Sequence, residues 1–368
     1  MCNNVFELFE QKILLKIKLM EVERKAQYEQ MMSEVRNSPV ETVEFEGNTY
    51  HFKLDYKLPY GECHYSRIFL KLIYLKECLG IIKQGDVLLE TTSGSGGRAA
   101  AAVATALGYQ IKIAVPAGGE KARERAIEKA GAELILTPAE VYVNGFPEFI
   151  KNFLVENPKT KYLNHAMGDI FGRGFGVNNT SINAFRPFVD EVIETGVQPD
   201  VVICPLGNGT TTLPMVTEFK SLFRKSEVFG FESVMAANSY RKYYPGNYES
   251  LIGLNPDMFL RHDLPGSSPS HTDFPMPALE VSALLLDGIS LVTSDFVDDN
   301  FLNVVGFKPS DKSEEVVKWD DLDQSFLKDF GRTGKAGFAV AVSLARKREM
   351  SGKHFLIPVF DAAWHYDS

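Results

Sequence analysis

Thr92, Ser93, Gly94, Ser95, Gly96 and Gly97 follow the apolar run Val87, Leu88, Leu89 and the acid Glu90. They precede Arg98 and an alanine-rich stretch that stops at Gly108. The order reads as strand, small-residue loop, helix. Such a junction aims bare backbone N–H groups and hydroxyls at one point, and the helix N-terminus adds partial positive charge. A carboxylate or a phosphate is the guest this chemistry selects. A second junction of the same kind runs Pro205, Leu206, Gly207, Asn208, Gly209, Thr210, Thr211, Thr212. It follows the buried-type run 200–204 and leads into a helix ending near residue 222. Two glycines and three threonines at a helix start favour a phosphate there.

The elements that must carry these loops alternate along the chain. Residues 68–79 have helical spacing and stop at Gly80; 87–90 is a short strand, 98–107 a helix, 111–115 a strand. A turn at 116–119 leads to a helix over 120–130 and a strand over 134–136. This is β-α-β-α-β, the pattern of a parallel sheet covered by helices. It resumes with strands at 200–204 and 228–231, a small-residue helix over 337–346 and a last strand over 354–359. Residues 242–275, rich in Pro, Gly, Ser and Tyr, read as an irregular excursion. Ligands of such sheets bind beyond the C-terminal strand ends, so two facing units would hold the site between them.

The 368 residues carry a net charge of −9, with 45% hydrophobic and 24% charged residues. That is an ordinary globular balance, and the length predicts two domains. The acidic balance disfavours nucleic acid or an anionic membrane as partner. Cys2, Cys63, Cys78 and Cys204 form no C-x-x-C pair, which argues against a zinc or redox motif and fits a reduced, cytoplasmic setting. His165, His262 and His271 lack metal-ligand spacing, so no metal site is expected. Lysines 12, 16 and 18 break the apolar patch Ile13, Leu14, Leu15, so neither a membrane span nor a leader is expected. Residues 5–36 read as an amphipathic arm that packs on the body or on a second subunit. The resulting division is a helical arm over 1–49, a smaller α/β domain over 50–175 with the first loop, and a larger one over 176–368 with the second.

With both loops in hand, the chain from about residue 50 resembles the fold-type II pyridoxal-phosphate superfamily (tryptophan synthase beta-like), and within it cysteine synthase and its relatives. Thr92 to Gly97 resembles the family's T-S-G-N-T-G loop, and Gly207, Asn208, Gly209, Thr210, Thr211 its G-T-G-G-T loop. Phe360, Asp361, Ala362, Ala363, Trp364, His365, Tyr366 stands where P-D-S-G-E-R-Y does. The resemblance implies two three-layer α/β/α domains with mostly parallel sheets and a cleft between them. It also implies a homodimer and β-elimination or β-replacement on a small amino acid. Thr92, Ser93, Gly94, Ser95 and Gly96 would bind the substrate carboxylate, and Gly207, Asn208, Gly209, Thr210 and Thr211 the cofactor phosphate.

Three cofactor positions depart from the family. Its lysine lies in G-S-x-K-D-R, but here the segment is Pro59 to Arg67, with no lysine between Lys57 and Lys71. Counting back from Thr92, the lysine falls on Tyr65; counting forward from Lys53, Leu54, Asp55, it falls on His64. Ser95 replaces the asparagine beside the cofactor's phenolic oxygen, and Ala362 the serine that bonds the pyridine nitrogen. The lysine normally forms the Schiff base and moves the substrate's α-proton. Three readings follow: a lysine-free pyridoxal-phosphate enzyme with His64 or Tyr65 as acid/base, a cleft repurposed for another phosphorylated or carboxylated metabolite, and a pseudoenzyme. For the first, histidine's ordinary pKa favours His64, whereas Tyr65 would need a cation such as Arg67 or Arg98 to lower its own.

Overall fold

The computed structural model describes residues 22–166, 178–234, 236–243, 276–292, 301–305, 314–318 and 326–365, with backbone alone for 301–305 and 314–318. Helix α1 (Val22–Glu34) buries Arg24, Tyr28 and Met31, spaced four and three apart, on one stripe. Strands β1 (Val40–Phe45) and β2 (Asn48–Leu54) form a hairpin through Glu46 and Gly47, both at positive φ, as a two-residue turn of the primed type requires.

Four parallel strands make the smaller sheet: β3 (Val87–Thr91), β4 (Gln110–Pro116), β5 (Glu133–Thr137) and β6 (Thr160–Tyr162), in the order β5-β4-β3-β6. Helices α2 (Tyr65–Cys78), α3 (Gly96–Ala106) and α4 (Lys121–Lys129) share one core with it: Phe69, Leu72, Ala100, Val103 and Ile127 pack with Leu88, Ile111 and Ile113. Helix α5 (Phe146–Glu156) precedes β6.

The larger sheet runs β1-β2-β12-β7-β8-β9-β10-β11 among the described residues. Its later strands are β7 (Val201–Pro205), β8 (Glu227–Ser233), β9 (Gly288–Val292), β10 (Phe301–Val305), β11 (Glu314–Lys318) and β12 (His354–Val359). Pairing is parallel from β2 through β9 and antiparallel at both edges. Alternate residues of one strand face different helices. Val201 and Ile203 pack with Phe338 and Val342 of α10 (Arg332–Lys347). Val202 and Cys204 pack with Phe185 and Phe188 of α6 (Asn179–Glu194) and with Met215 and Phe219 of α7 (Thr212–Leu222). A period-two strand buried on both faces is what a three-layer domain requires. Two shorter helices, α8 (Asn238–Tyr243) and α9 (Pro277–Leu285), flank the second loop's side of this sheet.

The boundary drawn at residue 50 does not coincide with the sheets. Strand β2 pairs in parallel with β12, His354 to Val359 against Thr49 to Leu54, so residues 50–54 belong to the larger sheet. Residues 40–45, inside the expected helical arm, are strand. The physical reason is burial: six of the seven β2 residues are buried, which only a central strand provides. The boundary at 175, residues 1–21, most of 242–275, His262, His271 and Tyr366 lie outside the described residues.

A buried ion cluster ties the two units together beneath α2. Arg67 donates to Asp55 Oδ1 at 3.0 Å, to Glu191 Oε2 at 2.8 Å and to Glu191 Oε1. Lys53 Nζ donates to Glu191 Oε2 at 2.7 Å and to the Ser38 carbonyl, and Ser38 Oγ donates to Asp55. Two cations and two carboxylates balance there, each at most 4% exposed. The cluster fixes the start of α2, the segment holding His64 and Tyr65.

Candidate active site

The first loop leaves β3 at Thr91 and enters α3 at Gly96. Thr92 Oγ1 closes it, accepting from Gly94 N at 3.1 Å, while Ser93, Gly94 and Ser95 remain half-buried. Ser95 Oγ donates to Asp361 Oδ2 at 2.9 Å, which links the loop to the end of the larger sheet. Arg98 donates to the Gly61 carbonyl at 2.6 Å and pairs with Glu62 at 2.8 Å and with His365. A cavity of about 20 Å³ lies beside the loop, lined by Gly94, Ser95, Arg98, Arg123 and His365 among others.

The second loop leaves β7 and enters α7. Gly209 takes φ +87°, and Asn208 Oδ1 accepts from Thr210 N at 3.0 Å and from Thr210 Oγ1 at 2.8 Å. Gly207 and Asn208 are half-buried, and Thr211 is 9% exposed at the rim. Ala362 is fully buried and bridges to Phe330 in the main core.

His64 and Tyr65 differ in surroundings. His64 is 3% exposed, its ring 4.0 Å from both Tyr65 and Phe360, and its Nδ1 is buried with no hydrogen-bond partner. Tyr65 is half-buried, and its ring carbons come within 3.7 Å of where a Cβ on Gly96 would stand. Of the two, Tyr65 is the one against the first loop.

Neither is tuned as a base. Burial, aided by Arg67 and His165, lowers the His64 pKa to about 4 despite Asp361 and Asp55. Burial pushes the Tyr65 hydroxyl well above its ordinary value, and Cys63, Asp361 and Glu90 push the same way. Arg67 and Arg98, the cations that could have lowered it, are paired with carboxylates.

The His64 shift has a measurable consequence. An unfolded imidazole titrates near 6.5 and this one near 4. Its contribution to stability is therefore complete above pH 6.5 and is lost as pH falls toward 4. Between pH 7 and pH 5 the loss is roughly 2 kcal/mol. His64→Phe, which keeps an aromatic ring, should lose less over that interval than the parent in urea titrations. Equal losses would refute the assignment.

Sequence reasoning set aside the group that joins the loops. His165 is 6% exposed, and its ring stands 5.4 Å from Tyr65 and 5.2 Å from Phe69. Its Nδ1 lies 3.4 Å from Glu90 Oε1, and its Nε2 3.4 Å from Asn208 Nδ2. Glu90, fully buried, also accepts from Thr91 N at 2.8 Å and His165 N at 3.2 Å. Tyr65 thus stands beside the first loop, His165 touches the second, and the two rings meet edge to face. Cys63, Cys78 and Cys204 are buried and unpaired, and no metal-holding cluster of His, Cys, Asp or Glu occurs among the described residues. No helix among them is long and apolar enough to cross a membrane.

Two glycine-rich loops at parallel strand ends, brought together through Tyr65 and His165, define an α/β protein of the fold-type II kind. Residues 32–253 match the family of pyridoxal-phosphate dependent enzymes, and the chain belongs to that family. Cysteine synthase B of Escherichia coli is 38% identical over 99 residues, which is 27% of this chain and 32% of the relative. Cysteine synthase of Staphylococcus aureus is 37% identical over 95 residues, 26% and 30% of the two chains. The match thus spans about a third of those relatives' length. Among solved structures, O-ureido-L-serine synthase superposes with a TM-score of 0.71 at 18% identity, covering 92% of this chain and 93% of that one. A hydrogen sulfide-producing enzyme from Fusobacterium nucleatum gives 0.71 at 19%, covering 91% and 98%. At such identities these structures establish the fold.

The family implies pyridoxal phosphate, and the donor set decides how far the residues fit it. The second loop brings Gly209 and Thr211 to the start of α7, an arrangement that would suit a phosphate, with both Thr210 donors held by Asn208. At the positions the resemblance would give the ring stand the Ser95 hydroxyl, shared with Asp361, and the Ala362 methyl, which donates nothing. The residues therefore fit the group held by its phosphate, without a donor for the ring nitrogen.

Proposed function

We propose that the chain is an enzyme of amino-acid metabolism similar to cysteine synthase, acting by β-elimination or β-replacement on a small amino acid, with no Schiff-base lysine in its cleft. The observation that carries this reading is the meeting of the two loops through Tyr65 and His165. Thr92, Ser93, Gly94, Ser95 and Gly96 take the substrate carboxylate; Gly207, Asn208, Gly209, Thr210 and Thr211 take the phosphate of a non-covalently held pyridoxal phosphate. When bound, that group supplies an electron sink for carbon chemistry. Tyr65, rather than His64, stands in the family lysine's place beside the first loop: its protonated hydroxyl is a hydrogen-bond donor and not the base, while the His64 ring packs behind it. Arg98, Glu62 and His365 hold the cleft's rim. A cytoplasmic homodimer completes the reading.

A second reading draws on Asn208, which already occupies two Thr210 donors. A site so self-satisfied suits a different phosphorylated or carboxylated metabolite, converted or merely bound.

Visible spectra separate the two. The purified chain mixed with pyridoxal phosphate should develop a new absorption band only when a small amino acid such as L-serine is added. No band, together with no thermal shift by pyridoxal phosphate, would sink the first reading and leave the second.

A further inference from the structure

The tautomer of His165 follows from its neighbours. Thr210 N and Oγ1 both donate to Asn208 Oδ1, which fixes the amide's orientation and turns Nδ2 toward the ring. An amide nitrogen only donates, so His165 Nε2 must accept. The ring proton therefore sits on Nδ1, 3.4 Å from Glu90 Oε1 but without hydrogen-bond geometry to it. Glu90 is an acceptor throughout, taking Thr91 N and His165 N as well. A buried carboxylate thus lies behind one ring nitrogen, and the other nitrogen's lone pair is turned to the second loop.

We propose that His165 is the proton-coupled anchor of the ligand's phosphate. A phosphate monoester dianion arriving at Gly207 to Thr211 draws the Asn208 amide to its own oxygens. Nε2 then loses its donor and faces acceptors. It binds one proton from solvent and donates that N–H to the phosphate. The new positive charge lies between the phosphate and Glu90, so no charge is left unpaired. The other groups around the residue keep their states: Tyr65 and Phe69 from α2 against the ring, and Ser181 of α6, whose hydroxyl donates to the His165 backbone carbonyl at 2.7 Å. His64 packs beyond Tyr65 and remains neutral.

This inference rests on the phosphate reading of the second loop, and the test separates the two. The probes are pyridoxine 5′-phosphate, which has no aldehyde to react with surface amines, and O-phospho-L-serine. Calorimetric titration at pH 8 in two buffers of different ionisation enthalpy counts protons taken up. The parent chain should take up nearly one proton per phosphate bound. His165→Gln, whose amide oxygen can still accept from Asn208, should melt like the parent, bind about tenfold more weakly, and take up none. Imidazole nitrogen spectra should show one ring, missing in His165→Gln, becoming doubly protonated with the probe. Equal proton uptake by both proteins overturns the anchor and leaves the phosphate site intact. Binding of neither probe to the parent overturns the phosphate site, and the anchor with it.

Discussion

Glu191→Ala should lower the folded state's stability by about 3–5 kcal/mol, the usual cost of stranding buried charges. Glu191 is 2% exposed and answers two cations, Lys53 at 2.7 Å and Arg67 through both terminal guanidinium nitrogens. Lys53 is 1% exposed and Arg67 4%, so neither can turn to water when the carboxylate goes. Arg67 retains Asp55; Lys53 retains only the Ser38 carbonyl within the cluster. The effect should reach the cleft, because Arg67 lies two residues beyond Tyr65 on α2. A surface pair gives the contrast. Arg348 and Glu227 meet at 2.9 Å but are each about a third exposed, so Arg348→Ala should cost under about 1 kcal/mol. Urea titrations of both variants check this, and a Glu191→Ala cost no larger than that of Arg348→Ala would contradict the account. Acid should probe the same cluster. Burial alone would raise the Asp55 carboxyl, but Arg67, Lys53 and Ser38 outweigh it and hold it below the ordinary range. Its stabilising share is present above the ordinary carboxylate pKa and is lost as pH falls through the depressed one.

The loops were legible because their physics is local. An apolar run ending in glycines, serines and threonines before a helix constrains the backbone within a dozen residues, and both such runs sit at strand ends as expected. The allegiance of β2 was not legible. It is decided by pairing Thr49 with His354 and Leu54 with Val359, three hundred residues away, and a strand's own pattern does not name its partner. His165 was passed over for the same kind of reason. Its spacing to other histidines says nothing, and it becomes a site residue only because β6 lies beside β3, which sets it over Glu90. His64 and Tyr65 show the opposite limit. Counting along the chain left the lysine's position open between them, whereas helix geometry turns one ring to the loop and the other into the interior. Their proton affinities depend on burial, which spacing does not carry. Helix α6 holds Pro187 mid-helix, a residue that usually signals a break, and its path was not read from the sequence.

Gly209→Ala should be the most damaging small change in the second loop, costing several kcal/mol and abolishing phosphate-probe binding, on the order of the largest single-residue effects. Two causes combine. At φ +87° an L-residue is strained by about 1 kcal/mol. In addition, the new methyl would stand 2.1 Å from Leu279 N and 2.3 Å from the Ala278 carbonyl carbon. Those are backbone atoms of α9, and no side-chain rotation clears them. The loop must then lift from α9, and the N–H groups proposed to take the phosphate move with it. Gly108 isolates the first cause: its φ is +78°, with nothing within 4 Å of the added methyl. Gly108→Ala should therefore lose only about 1 kcal/mol and keep its ligand. Urea titration of the pair, with phosphate binding measured on each, distinguishes strain from collision. If the two variants behave alike, α9 does not press on the loop, and the second loop's shape is set by its own sequence alone.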